Sequence, residues 1–358
     1  MRVVIDATPL IGTRTGIGIY VQGLIDALNE EPRKEKNIEV IEYTLSIRAR
    51  AQSKLRGYWV PVPAGIAPSI WRTFNGPKIE KFVPSPDVVH GTNYLVPPSN
   101  VPRIVTVHDL SVLSRGTAPR RRVNGIDRHL KQIAESGATI HAISNYVADE
   151  IRERYPNADV QMVYPGVETS FEQRIPKVET PTMVVLGATQ KRKAVPDAVR
   201  AFEILGQSFK TLELQIIGPP GDDEPQVRTL IEGLPEALRR RVTRLGFVAR
   251  DEVARLVGSA TLLVHPSHYE GFGFPLVEAM SMGTPVVTTT GGAIPEIVDT
   301  AAVTVEPGDV EALVAGISLL IEKESFRDRI ISSGLERSKQ FSWAIAGEQM
   351  LNMYRSVC

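Results

Sequence analysis

Short apolar runs alternate with segments of helical spacing along this chain, and the alternation occurs twice. In each half, a β-branched or apolar run is followed by turn residues or by a polar segment with helical periodicity. Strands that alternate with helices favour a parallel sheet covered on both faces. The pattern therefore predicts an α/β fold with two doubly wound domains. The predicted strands are 3–5, 87–90, 103–108 and 139–143 in the first half, and 183–186, 212–217, 243–248, 261–265, 285–288 and 303–305 in the second.

The length of the chain and a break in the pattern place the domain boundary. A chain of 358 residues is long for a single core and suits two domains. Between 168 and 181, charged residues and two prolines interrupt the apolar pattern, which is typical of a hinge. We predict a first domain over 1–175 and a second over 176–339.

Composition excludes several functional classes. The 41 Lys and Arg residues balance 41 Asp and Glu residues, so no overall basic field indicates a nucleic-acid partner. Cys358, the one cysteine, excludes a disulfide framework and a cysteine-rich metal site. No basic segment at the N-terminus leads into a long apolar run, and no uncharged stretch of 18 or more apolar residues occurs elsewhere. We expect a cytoplasmic protein without a membrane span.

The stretch HPSHYEGFGFPLVE, at 265–278, is the most informative part of the sequence. A strand gives way to a glycine-rich loop, and a proline suited to the first helical position would place Glu278 in the first helical turn. Gly271 and Gly273 would let a phosphate or sugar approach the free amides at the helix start. Glu270 and Glu278 could accept hydrogen bonds from sugar hydroxyls. A capped helix with one glutamate near its positive end accounts for the same residues.

This stretch and the motifs around it resemble the donor-binding domain of family 4 retaining glycosyltransferases, which adopt the GT-B fold. EGFGFPLVE, AMSMGTPVV and GGAIPE carry the resemblance over 270–296. Further matching motifs follow one another along the chain: TGIGIY, TVHDL, ISN, YPGVE and KRK. The resemblance implies two Rossmann-like domains that face each other across a cleft. It also implies that the last helix, at about 340–358, crosses back to join the first domain.

The resemblance assigns roles to the residues of the second domain. Glu270 matches the glutamate that contacts the transferred sugar near the reacting carbon, and Glu278 matches the one that binds the ribose hydroxyls. Glu270 could be a nucleophile or could orient the sugar. We favour orientation, with the acceptor deprotonated by the departing phosphate. The amides that match those facing the sugar and the diphosphate belong to Gly271, Phe272, Gly273 and Phe274.

Two adjacent basic residues are expected at the donor diphosphate. Lys193 matches the lysine that neutralises the charge of the leaving group. Many relatives pair this lysine with an arginine shortly after the preceding strand, where this chain has Ala188 and Thr189. We expect Arg192 to take the place of that arginine. From the residues alone, a solvated basic loop is the alternative.

The first domain contributes a histidine and a glycine pair. His108 ends an apolar strand and matches the family histidine that approaches the transferred sugar and the donor phosphate; a structural, hydrogen-bonded histidine is the alternative. Gly16 and Gly18 open a helix, and their backbone could reach the diphosphate from the opposite side of the cleft or could only shape the helix start. Val21 occupies the third position of Gly-x-Gly-x-x-Gly, which argues against a dinucleotide site.

The sequence predicts metal-independent chemistry without a cofactor. It contains no Asp-x-Asp pair and no close histidine pair of the His-Glu-x-x-His type. Lys193, Arg192 and helix N-termini would then supply the positive charge, and the nucleotide sugar would be a co-substrate.

The region between 46 and 81 is expected to recognise the acceptor. Its seven basic residues face one acid, Glu80, and are interleaved with aromatic and aliphatic residues. Such a surface suits the edge of an anionic membrane at its inner, cytoplasmic face. A helix with its aromatic residues buried and its charges in water is the alternative.

These residues together predict a glycosyltransferase that moves a hexose to a hydroxyl of a saccharide or lipid-linked acceptor. The KRK and TVHDL motifs most resemble those of mannosyltransferases that use GDP-mannose, which implies this donor, with rhamnosyl and glucosyl donors as alternatives. Two other readings are a GT-B epimerase that cleaves a UDP-sugar without an acceptor, and a non-catalytic protein that binds sugar nucleotides.

Overall fold

The chain forms two compact units, each built on one parallel sheet. The computed structural model describes residues 1–12, 16–30, 37–46, 56–63, 65–114, 120–168 and 175–358. The first unit comprises Met1–Gly166 and Ser342–Cys358, and the second comprises Val167–Phe341. The predicted divisions lie near 175 and 339.

The first unit contains a sheet of seven parallel strands. They run in the order β3-β2-β1-β4-β5-β6-β7. Residues with 0% exposure, such as Val4, Val89, Val105 and Ile140, form the centre of its core. The strands are β1 (Arg2–Asp6), β2 (Glu39–Leu45), β3 (Tyr58–Val60), β4 (Val88–Gly91), β5 (Arg103–Val107), β6 (Thr139–Ala142) and β7 (Asp159–Met162). Within the described residues, the α-helices of this unit are Gly16–Asn29, Ala67–Phe74, Ser111–Ser114, Arg120–Glu135, Asn145–Arg154 and Trp343–Val357.

The last helix, Trp343–Val357, packs within the first unit, as predicted. It contacts the helix Gly16–Asn29, and its apolar stripe is buried through Met350 and Tyr354. Trp343 is seated against two glycines, because a Cβ atom on Gly23 or on Gly166 would lie 2.1 Å or 2.5 Å from its atoms.

A buried chain of hydrogen bonds ties this helix to the sheet. His141 Nε2 lies 3.0 Å from the carbonyl of Val163, so this nitrogen carries the proton and Nδ1 is an acceptor. Thr106 therefore donates to His141 Nδ1 at 2.9 Å, and His90 Nε2 donates to Thr106 Oγ1 at 2.7 Å. Tyr354 then donates to His90 Nδ1 at 2.8 Å. Burial lowers the pKa of both histidines, to about 4 for His141, so both rings stay neutral.

The second unit contains a sheet of six parallel strands in the order β10-β9-β8-β11-β12-β13. Its strands are β8 (Thr182–Leu186), β9 (Glu213–Ile217), β10 (Val242–Gly246), β11 (Leu262–His265), β12 (Val286–Thr289) and β13 (Val303–Val305). Its α-helices are Val195–Ser208, Glu224–Gly233, Glu236–Arg239, Arg250–Ser259, Phe274–Ser281, Ile294–Val298, Val310–Glu322 and Glu324–Ser338. The two ends of this unit meet, since the amide of Val167 donates to the carbonyl of Phe341 at 2.7 Å.

Both strand orders are those of doubly wound sheets, which confirms the predicted fold class. In each sheet the order reverses beside the first strand, between β1 and β4 in the first unit and between β8 and β11 in the second. Ligands of such sheets bind at the carboxyl ends of the strands at this reversal. The residues that follow β8 and β11 therefore form the candidate site of the second unit, and those that follow β1 and β4 lie at the corresponding edge of the first sheet.

The helix Ala67–Phe74 shows two distinct faces in the region predicted to recognise the acceptor. Ala67 and Trp71 are buried, whereas the side chains of Ile66 and Phe74 are 52% and 76% exposed. The predicted basic residues Arg48, Arg50 and Lys54 lie outside the described residues, as does the side chain of Arg72. Within the described part of the chain, no helix is long and apolar enough to span a bilayer.

Candidate functional site

Two loops of the second unit converge at the reversal of its sheet. The segment after β8 forms a short 3-10 turn, Lys191–Lys193, which precedes the helix Val195–Ser208. The segment after β11 carries Glu270 and leads into the helix Phe274–Ser281. The amide of His268 donates to the carbonyl of Arg192 at 2.8 Å, so the two loops are joined through their backbones.

Glu270 is the centre of this site and is 5% exposed. Its Oε1 atom accepts hydrogen bonds from Lys193 Nζ and from His265 Nε2, the latter at 2.9 Å. Its Oε2 atom accepts from Arg192 Nη1 at 3.1 Å. The structure thus brings together Arg192, Lys193 and Glu270, three of the residues predicted from the sequence, and adds His265.

These contacts fix the charge of the site. Burial alone would raise the pKa of Glu270, but Lys193, His265 and Arg192 together hold it well below its usual range. Burial and the two cations lower the pKa of His265, although the hydrogen bond to Glu270 opposes them. Glu270 is therefore a carboxylate and His265 is neutral. Because an ionised carboxylate only accepts hydrogen bonds, His265 Nε2 carries the proton.

The loop that carries Glu270 is supported by the loop after β12. The carbonyl of Glu270 accepts from the amide of Ala293 at 2.8 Å. A Cβ atom on Gly291 would lie 2.4 Å from the carbonyl oxygen of His268, and one on Gly292, whose φ is +68°, would lie 2.4 Å from that of Glu270. The two backbones approach this closely only because both positions are glycine.

The helix Phe274–Ser281 begins as the sequence predicted, with small differences. Gly273 adopts a left-handed conformation, φ +95°, directly before the helix, and Pro275 occupies the second helical position rather than the first. Within the described residues, the amides of Gly273 and Phe274 donate to no acceptor. The ring of Phe272 is buried and packs on Phe274, with ring centroids 5.1 Å apart. The start of the helix thus has two amides that could bind an anion, and the buried ring of Phe272 packs beside them.

Glu278 does not lie in the first turn of this helix, contrary to the prediction. It is the fifth residue, because the helix begins at Phe274. Its carboxylate pairs with Arg250 Nη1 at 3.2 Å and is 13% exposed. Burial raises the pKa of Glu278, and Arg250 partly offsets this effect. The charge of the Glu278 carboxylate is therefore stabilised by Arg250 rather than by the helix dipole.

Thr189, which follows β8, has a structural role. Its hydroxyl donates to Glu224 at 2.7 Å and accepts from the amide of Gly221 at 2.8 Å. Glu224 also pairs with Arg244 at 2.8 Å. The loop after β8 is thereby fixed to the loop after β9, while Arg192 reaches Glu270 from the next turn.

His108, Gly16 and Gly18 belong to the first unit. His108 is 7% exposed, and its Nε2 donates to the carbonyl of Thr92 at 2.9 Å, which leaves Nδ1 as an acceptor. Burial lowers the pKa of His108. Thr92 in turn donates through Oγ1 to the carbonyl of Asp6 at 2.8 Å, so the last residue of β1 and the residues that follow β4 and β5 meet at one sheet edge. Gly16 opens its helix and is exposed, whereas Gly18 is buried.

Sequence reasoning missed several residues of the site. His265 and Ser267, which lies 3.0 Å from His265 Nε2, belong to the most informative stretch but were given no role. Gly291 and Gly292 carried the resemblance without a structural interpretation. A polar residue at the end of a buried strand and a glycine pair after the next strand were the available signals.

Within the described ranges, no cluster of three or more His, Cys, Asp or Glu side chains is arranged to hold a metal ion. Metal independence stays a prediction.

Comparison with known proteins gives matches along most of the chain. The family described as "Glycosyltransferase Family 4" matches residues 14–171, and "Glycosyl transferases group 1" matches residues 167–337. O-antigen chain mannosyltransferase B of Escherichia coli is 28% identical over 284 residues, which cover 75% of this chain and 74% of that protein. Sucrose-phosphate synthase of Thermosynechococcus elongatus has a similar structure, with a TM-score of 0.77, 18% identity and coverage of 99% and 98% of the two chains. Anabaena HepE in complex with UDP-glucose gives a TM-score of 0.73 at 17% identity, over 99% of this chain and 100% of HepE.

Proposed function

Because the chain belongs to glycosyltransferase family 4 and has the GT-B fold, we propose that this glycosyltransferase moves a hexose from a nucleotide sugar. The hexose would be transferred to a hydroxyl of a saccharide or lipid-linked acceptor, with retention of configuration. The observation that carries the proposal is the convergence of Arg192, Lys193 and Glu270 at the reversal of the second sheet. Two cations beside free helix amides suit a diphosphate.

GDP-mannose is the donor that we propose. A mannosyltransferase is among the relatives of the chain, and this supports mannose as the sugar. A thermal-shift panel of GDP-, UDP-, dTDP- and ADP-sugars tests the proposal, because a ligand at 100 times its Kd stabilises a protein by about 2.7 kcal/mol. The largest shift is expected with GDP-mannose. A larger shift with UDP-glucose would replace it by a glucosyl donor.

The cation pair would stabilise the leaving group. When the bond between the anomeric carbon and the phosphate oxygen breaks, negative charge grows on the diphosphate, and fixed cations in a partly buried site stabilise it. Lys193 and Arg192 are 13% and 26% exposed, so water screens them only in part. No metal ion is required in this scheme. Turnover should survive a chelator, and loss of turnover that divalent ions restore would contradict it.

Glu270 would orient the sugar rather than attack it. A carboxylate bonded to two cations and a histidine is a weak nucleophile, because its charge is already neutralised. The acceptor oxygen would bond to the anomeric carbon on the face from which the phosphate leaves, and its proton would pass to that phosphate. NMR of the first product should show the anomeric configuration of the donor. Inversion would refute this mechanism, and a product formed without acceptor would indicate an epimerase.

The parts assigned to the first unit stay predictions. We propose that His108 contacts the transferred sugar through Nδ1, the acceptor nitrogen that its bond to Thr92 leaves available. Gly16 and Gly18 would contribute backbone amides to the diphosphate. Substitution of His108 by Ala should lower turnover by a larger factor than it weakens the binding of a nucleoside diphosphate, which lacks the sugar.

We also propose that the exposed face of the helix Ala67–Phe74 contacts an anionic membrane surface. Ile66 and Phe74 are 52% and 76% exposed at the two ends of this helix, and the basic residue Lys81 is exposed nearby in sequence. Flotation with phosphatidylglycerol vesicles should exceed flotation with phosphatidylcholine vesicles, and Phe74→Ser should reduce it. Phe247→Ser is a matched control, because Phe247 is 62% exposed in the other unit. Equal flotation with both lipids would refute membrane contact.

A further inference from the structure

The carboxylate of Glu270 pairs with the same two cations that would bind a diphosphate. Lys193 and His265 contact Oε1, and Arg192 contacts Oε2. The side chain of Glu270 is 7% exposed, while Lys193 and Arg192 are more open to solvent, with 13% and 26% exposure. An anion that arrives from solvent therefore meets cations that already have an internal partner.

The energetics of buried charges explain why such a partner is needed. Two adjacent cations in a partly buried site repel each other and lose hydration. A negative group beside them compensates the cost in free energy of both effects. Glu270 compensates them when no phosphate is present. An arriving diphosphate offers the same cations more negative charge, so the two anions compete for Lys193 and Arg192.

His265 gives the carboxylate a partner that a phosphate does not need. It is 1% exposed at the end of β11, and its own carbonyl accepts from Thr288 Oγ1 at 2.8 Å. Its Nε2–H group donates to Glu270 at 2.9 Å, and Ser267 Oγ lies 3.0 Å from the same nitrogen. His265 can therefore hold Glu270 in place when the two cations turn to a bound anion.

We propose that Glu270 is the internal counter-ion of the diphosphate site, and that His265 is the positioning residue that retains its carboxylate when a diphosphate takes over Lys193 and Arg192. This inference rests on the proposed donor site and adds the competition within it. The same carboxylate then weakens ground-state binding of diphosphate, keeps the cations in position and remains beside the sugar for the reaction. Removing its charge should have opposite effects on binding and on turnover.

Binding of inorganic pyrophosphate to Glu270→Gln tests the competition. Calorimetry at low salt should give a Kd about tenfold below that of the wild type, the factor that corresponds to one charge-assisted hydrogen bond. Turnover of the same variant should fall by about 100-fold or more. Glu236→Gln is the matched control. It removes one carboxylate of the same unit, which pairs with Arg240 four residues along the chain, so its Kd should stay within about twofold of the wild type.

A second variant tests the role of His265. His265→Leu removes the donor that retains the displaced carboxylate, so its Kd for pyrophosphate should rise by about threefold or more. His265→Gln, which keeps a side-chain N–H group, should restore most of the affinity. Thermal unfolding of each variant verifies that it is folded, and the His265 pair decides the question if Glu270→Gln does not fold.

The outcomes separate this inference from the proposed function. A wild type that binds pyrophosphate while Glu270→Gln binds it equally or more weakly would overturn the counter-ion role alone. An unchanged Kd in His265→Leu would overturn the positioning role. Failure of the wild type to bind either pyrophosphate or any nucleoside diphosphate would overturn the proposed donor site, and this inference with it.

Discussion

Replacement of Gly291 by alanine isolates the effect of the close approach between the two loops. A Cβ atom at this position would lie 2.4 Å from the carbonyl oxygen of His268, 2.6 Å from its carbon and 2.9 Å from the carbonyl oxygen of Ser267. All three are backbone atoms of the segment that leads to Glu270. The backbone of Gly291 itself is compatible with alanine, because its φ is not positive, so only space is changed.

The size of the effect follows from these distances. Ordinary contact begins at 3.4 Å, so the loops must separate by about 1 Å. Overpacking of this kind costs about 1–3 kcal/mol of unfolding free energy. A 1 Å displacement of a positioning group can also lower turnover by about 100-fold. Gly291→Ala should therefore lose stability and, through the displaced Glu270, activity.

Urea unfolding and initial rates measure the two effects. Gly233→Ala is the matched control, because a Cβ atom there meets nothing within 4 Å and the residue ends a helix of the same unit. The control should change the unfolding free energy by less than about 1 kcal/mol. Wild-type stability together with wild-type turnover in Gly291→Ala would refute the argument that the glycine holds the loops together.

Three further predictions concern charges and buried hydrogen bonds. Tyr354→Phe should lower the unfolding free energy in urea by about 1–3 kcal/mol, because His90 Nδ1 loses its buried donor at 2.8 Å; no change would contradict the buried chain of hydrogen bonds. Burial raises the pKa of Asp6 from 3.8 to about 6, so the protonated side chain favours the folded state. As the pH rises from 4 to above 6, the unfolding free energy of the wild type should fall by up to about 3 kcal/mol relative to that of Asp6→Asn. Parallel pH profiles of stability for the two proteins would disprove this. Arg250→Ala should raise the pKa of Glu278 further, so the carboxylate expected to bind the ribose should be protonated at a higher pH. The Kd for GDP should therefore increase more steeply than in the wild type as the pH falls from 8 to 5.5. An equal pH dependence of Kd in the two proteins would contradict the role of Arg250 in keeping Glu278 ionised.

The sequence predicted most of the fold, because buried strands of a parallel sheet are continuous apolar runs. The strand Val303–Val305 has the bounds that were predicted, and the strands Arg103–Val107 and Thr139–Ala142 end one residue earlier than predicted. The strands Glu39–Leu45, Tyr58–Val60 and Asp159–Met162 were missed. They lie away from the centre of the sheet and contain charged or polar residues or are very short, so they lack an apolar run.

The sequence also located the centre of the candidate site but not its hydrogen bonds. Glu270, Lys193 and Arg192 were recognisable because they follow strands and match known motifs. The contact of Arg192 with Glu270 depends on the direction of a side chain, and the role of His265 depends on which nitrogen carries the proton. Neither property has a periodicity along the chain. The position of Glu278 was predicted wrongly because the helix starts one residue earlier than the proline indicated.

The meeting of Val167 with Phe341 has a practical consequence for engineering. The segment between them is an uninterrupted insertion into the first unit, and its entry and exit lie side by side. Trp343 packs against Gly166 at the same crossing, so the recipient ends are also adjacent. The insertion could be exchanged as one cassette between members of the family, with both junctions designed at a single place, and a chimera built in this way would transplant the Glu270 site intact.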